Sequence, residues 1–134
     1  MRPLISAIFL ALPCAASADG YGFMTPSGNI YCNGAVEASQ ITCSIINRTA
    51  GPPALPRPIN CSATWGHVFK LGPIGPATLS SSNPPRAVNY TDVAPYGVSA
   101  SFGAIFCQSE STGLTCTNPQ GHGFFLSRRQ QNAF

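Results

Sequence analysis

The chain has 134 residues, 7 Lys+Arg against 4 Asp+Glu, a formal net charge of +3 and only 8% charged residues. Such a sparse balance offers no concentrated basic face for nucleic acid, and it is equally far from the high charge of a disordered tail. Thirteen Gly and thirteen Pro interrupt every apolar run, which argues against long helices and for one small domain of short strands.

At the N-terminus, Arg2, the apolar run from Leu4 to Leu12 and the small residues Ala16-Ser17-Ala18 make a secretory leader too short to span a membrane. Cys14 invites a lipoprotein reading, but Pro13 stands where such a signal wants a small residue. Cleavage near Ala18 discards Cys14, so residues 1–18 are set apart from a single secreted β-domain at 19–134, carrying five cysteines. The expected location is extracytoplasmic, periplasmic or secreted, an oxidising space. No second stretch reaches membrane-spanning length.

Phe23 to Asn29 reads as a turn feeding a hairpin that runs through Cys43. Four segments share an aliphatic residue two places before a cysteine: Ile30-Tyr31-Cys32, Ile41-Thr42-Cys43, Ile105-Phe106-Cys107 and Leu114-Thr115-Cys116. In a strand, residues i and i+2 share a face, so each cysteine lies on the apolar side while Thr42, Ser44, Thr115 and Thr117 point away. The turn formers Asn33-Gly34 and Ser109 to Gly113 suit a hairpin in each block. Directly opposed residues of an antiparallel pair lie within disulfide reach, which predicts Cys32–Cys43 and Cys107–Cys116. A zinc site is the competing reading. The spacings C-x10-C and C-x8-C are wider than the short ones metal sites use, so no metal and no cofactor are expected.

Between the blocks, Gly51 to Pro58 reads as an extended crossover, Thr64 to Leu71 as a strand, and Ser80 to Pro85 as an exposed loop. Arg86 to Asp92 is a candidate short strand. Tyr96 to Cys107 reads as one long extended run with Gly97 and Gly103 as bulges or close-approach sites. Asn118 to Gly121 makes a turn, and His122 to Ser127 a final strand. The whole predicts an all-β fold, a small antiparallel sandwich or barrel of about seven to eight short strands, with two disulfide-stapled hairpins.

No catalytic constellation stands out. Asp19, Glu37, Asp92 and Glu110 are the only carboxylates; Glu37 and Glu110 fall in hairpin turns and Asp19 at the mature terminus, which leaves no facing pair for glycoside hydrolysis and no calcium cluster. No serine sits in Gly-x-Ser-x-Gly, and nothing around Cys61 supplies a base for a reactive thiol. Cys61 is unpaired: a buried thiol, a link between two chains in a dimer, or a reactive group. The preferred recognition residues are His122, Phe124, Arg128 and Arg129, where Gly121 and Gly123 would let a ligand approach and the arginines would grip an anion. The competing reading makes the glycines a bulge and the arginines solvated surface. His67 is read as structural or surface. Trp65, Tyr96 and Phe102 could line a groove, although a lone tryptophan in such a domain favours the core.

Pro26-Ser27-Gly28-Asn29-Ile30-Tyr31-Cys32, Cys61-Ser62-Ala63-Thr64-Trp65-Gly66 and the stretch from Gly113 to Arg128 together resemble a family of small secreted bacterial proteins, a domain of unknown function. The resemblance implies an extracytoplasmic bacterial domain with disulfides and brings no activity or catalytic residues. It also implies that Cys61 has lost its partner, since members carry a further cysteine where this chain runs Leu79-Ser80-Ser81-Ser82. The expectation is a non-enzymatic binding domain at the bacterial envelope, its partner an envelope protein or wall-associated ligand. A small hydrolase or thiol enzyme using His122 or His67, and a structural envelope component, are the alternatives.

Overall fold

The structure is a computed structural model, and it describes residues 20–49, 51–59, 64–85 and 92–134. The leader at 1–18, Cys14, Asp19, Cys61 and most of the strand expected at 86–92 lie outside the described residues.

Ten strands form two five-stranded antiparallel sheets, and no helix is present among the described residues. The first sheet contains β1 (Gly20–Met24), β2 (Ile30–Ala35), β3 (Gln40–Ile45), β4 (Val68–Leu71) and β5 (Thr78–Ser80), hydrogen-bonded in that order. The second contains β6 (Ser99–Phe102), β7 (Ile105–Glu110), β8 (Gly113–Thr117), β9 (Gly123–Leu126) and β10 (Gln131–Ala133), again neighbour to neighbour. Each half of the chain is thus one meander, the topology short turns produce most readily.

The count exceeds the expected seven to eight for identifiable reasons. The run expected from Tyr96 to Cys107 is broken at Gly103, whose φ of 62° reverses the chain between β6 and β7. β5 and β10 have three residues each, too few to show a period-two pattern. In β1, glycines at 20 and 22 dilute the apolar signal.

Alternation decides which faces meet. β7 alternates buried and exposed side chains along its whole length, and β2 and β8 follow the same period. The buried faces of both sheets contribute to a single apolar cluster that includes Phe23, Ile41, Phe69, Ile105, Leu114 and Phe124. Two ring pairs join the sheets: Phe23 with Phe102 at 5.6 Å and Phe69 with Phe124 at 5.7 Å between centroids. Both fall in the range where aromatic pairs attract.

The cysteines are paired as expected. Cys32 is bonded to Cys43 and Cys107 to Cys116, each across directly opposed strand positions with Cα atoms 4.1 Å apart. All four are buried, so the links belong to the core. The register extends into one row per sheet. Phe23, Cys32, Cys43, Phe69 and Leu79 stand side by side across the first sheet. Ala100, Cys107, Cys116, Phe124 and Ala133 do so across the second. The two sheets therefore repeat one plan, with a disulfide across the second and third strands and a phenylalanine on the fourth.

The turn expected at Asn33-Gly34 is displaced. Both residues lie within β2, and the reversal falls near Ser39, whose φ is 50°. Gly34 is glycine for a packing reason: an added Cβ would sit 2.3 Å from the Phe102 ring of the opposite sheet. One end of the stack is also tied across sheets by two bonds between loops. The Ser39 hydroxyl accepts from the Ala104 amide at 2.8 Å, and Gly75 N donates to Gln120 Oε1 at 2.8 Å. Along one side, residues 92–98 bridge the sheets: Met24 N donates to Asp92 O, Ala94 N to Met24 O, and Gly97 N to Ser109 O.

Candidate functional site

Turns from both sheets create a cleft. Between β1 and β2 the chain reverses through Thr25 to Asn29, with Thr25 N donating to Ile30 O at 3.0 Å and Gly28 at a φ of 69°. Asn29 holds this turn from below. Its Nδ2 donates to Asn47 O and its Oδ1 accepts from Asn47 N, both at 2.8 Å, and the side chain is only 6% exposed. Buried Thr25 Oγ1 and exposed Ser27 Oγ lie 3.3 Å apart in this turn.

The β7–β8 turn of the other sheet faces it, carrying Glu110, Ser111 and Thr112. Gln108 Nε2 donates to Glu110 Oε1 at 2.8 Å and orients that carboxylate. Tyr96 and the end of β9, Leu126 to Arg128, complete the walls of a cleft of about 280 Å³. Its lining combines hydroxyls, one carboxylate, one guanidinium and an exposed phenol ring, which suits orientation of a polar ligand.

Arg128 also lines a second, open depression of about 480 Å³ that shares Ser111, Thr112 and Ser127 with the first. Arg129 and Gln130 carry this onward to a third of about 210 Å³, which reaches Arg48 and Thr49. The region is built from a short loop folded on itself. Ser127 Oγ donates to Gln130 O and accepts from Gln130 N, both at 3.0 Å. Thr49 N donates to Arg128 O at 2.8 Å and Arg48 Nη1 to Gln131 Oε1 at 3.1 Å, so the first sheet's 48–49 segment is bound to the loop before β10.

The four expected recognition residues do not form one site. Arg128 and Arg129 are exposed and adjacent in the trough. Phe124 is fully buried against Phe69 and opposite Cys116, so its ring is a core element and faces no ligand. His122 precedes β9 whereas Arg128 follows it, and six residues at about 3.3 Å each put them roughly 20 Å apart.

The glycines beside His122 have structural reasons. Gly121 has a φ of 79°, and a Cβ at Gly123 would lie 2.0 Å from the Cys116 carbonyl oxygen. Asn118, 6% exposed, organises this end: its Nδ2 donates to Gly72 O and Gly75 O, and its Oδ1 accepts from Gln120 N and His122 N. His67 lies elsewhere, its Nδ1 2.7 Å from Ile45 O. Because a carbonyl only accepts, that nitrogen carries the proton.

Of the three groove aromatics, only Tyr96 lines the cleft. Phe102 is core, and Trp65 donates from Nε1 to Leu55 O at 2.9 Å, pinning the proline-rich crossover. Thr25, Ser27, Glu110 and Thr112 escape a reading of the sequence because each is an ordinary turn residue locally. Strand parity was the available signal: in alternating meanders the β1–β2 and β7–β8 turns can share one end of the stack. Among the described residues no three His, Cys, Asp or Glu side chains converge, and no helix is long and apolar enough to cross a membrane.

Comparison with curated proteins and with solved structures returned no match in either case. A family profile does match, across residues 4–134, from the region of the expected leader through β10. The chain accordingly belongs to that family, a family of unknown function (DUF6636).

Proposed function

We propose that the chain is a non-enzymatic binding domain acting outside the cytoplasm, at the bacterial envelope, with the cleft between the β1–β2 and β7–β8 turns as its ligand site. The observation that carries this reading is the convergence of two turns from different sheets on one polar cleft, the first held from below by the Asn29–Asn47 hydrogen bonds and the second presenting a Glu110 carboxylate bonded by Gln108. Preorganised polar groups on a rigid scaffold lower the ordering cost of binding. The two disulfides are consistent with export, and the leader-like segment at 1–18 supplies the route. A hydrolase reading draws no comparable support, because neither His67 nor His122 lines the cleft and Glu110 is its sole carboxylate.

A photo-reactive amino acid placed at Thr112, on the cleft wall, and at exposed Lys70 as control tests the reading in cells that make the protein. Adducts are expected from position 112 and not from position 70. Equal labelling at both positions, or none at 112, removes the cleft as the binding site.

A further inference from the structure

Arg128 and Arg129 line a depression that shares walls with the cleft, Arg129 and Arg48 line the next depression along, and Glu110 is the only acidic residue on any of the three. The described residues contain five basic side chains, these three arginines with Arg57 and Lys70, so three of the five described positive charges lie along one trough. Scattered solubilising arginines would not be expected to concentrate in this way. Gln131 supports the arrangement, since its Oε1 accepts from Arg48 Nη1 and its Nε2 donates to Ser127 O, linking the far end of the trough to the loop that carries Arg128.

From this charge and lining we infer that the trough binds an extended, carboxylate-bearing glycan. The inference rests on the binding reading above and names its ligand class. The guanidinium groups match carboxylates spaced along a chain, each able to donate two parallel hydrogen bonds. At the cleft end, the exposed hydroxyls of Ser27, Ser111 and Thr112 both donate and accept, as sugar hydroxyls require. The Glu110 carboxylate accepts from sugar hydroxyls, and the exposed Tyr96 ring offers an apolar face to a pyranose. An acidic peptide would engage the arginines but leave the hydroxyl-lined end unmatched. A polyphosphate backbone would meet Glu110 with like charge and find no cluster beyond three arginines.

The oxidised protein is titrated calorimetrically with an oligogalacturonate, its fully methyl-esterified counterpart of equal length, and polyglutamate. Binding of the oligogalacturonate at least tenfold tighter than either control is expected, weakening as salt rises. The Arg128→Ala/Arg129→Ala variant should lose at least tenfold in affinity, Arg128→Lys less, and Lys70→Ala nothing, all with unchanged melting temperatures. Equal binding of the esterified chain, tighter binding of polyglutamate, no binding of any probe, or full affinity in the double variant overturns the inference. Continued cross-linking from position 112 in those cases would leave the cleft a binding site for another ligand.

Discussion

One asparagine and two glycines carry constraints that their sequence neighbourhoods disguise. Asn118 stands in Asn-Pro-Gln-Gly, which reads as a surface turn, yet its buried amide makes four hydrogen bonds spanning both sheets. Asn118→Ala should destabilise by about 2 to 3 kcal/mol, read as a lower urea midpoint, because buried partners are left unsatisfied. Gly34 likewise looks like a turn former and is covered by a ring from the other sheet, a contact some seventy residues away along the chain. Gly34→Ala should cost about 1 to 3 kcal/mol, since the Phe102 ring can shift. Gly123→Ala should cost more than Gly34→Ala in the same denaturation series, because its Cβ meets a backbone carbonyl that has no rotamer to change. Equal costs would contradict that distinction.

At the scale of strands, the disulfide hairpins were legible because both the face alternation and the cross-strand distance follow from period-two geometry. Sequence separations of 11 and 9 residues close loops of nearly equal size. Replacing either pair by alanine should therefore cost about 2.5 to 3 kcal/mol, and the two costs should agree to within about 0.5 kcal/mol by chemical denaturation. A marked difference would mean that one hairpin retains its closure without the link. What stayed hidden were the three-residue strands and the break at Gly103. Both depend on neighbours: β10 exists by pairing with β9, and Gly103 turns where Ser39 and Val36 of the other sheet leave no room for a Cβ.

Over the whole molecule, a doubled cysteine pattern becomes two similar meanders whose matching phenylalanines, Phe69 and Phe124, touch at the centre. Phe69→Ala and Phe124→Ala should each cost about 3 to 5 kcal/mol. Their double-mutant cycle should show coupling of about 0.5 to 1.5 kcal/mol, as expected of rings in contact. The cleft and trough arise one level higher, from how the two sheets are set against each other, which is why the sequence singled out Arg128, Arg129 and Tyr96 as candidates but not Thr25 or Glu110. That placement is open to a residue-resolved measurement: amide shift mapping of the isotope-labelled, oxidised protein during titration with the oligogalacturonate. Shifts should cluster at Ser27 to Asn29, Ser111 to Gly113 and Ser127 to Gln130. Perturbation centred instead on Asn118 to Gly123 and the Gly72–Gly75 loop, at the opposite end of β9, would contradict a ligand site between the two turns.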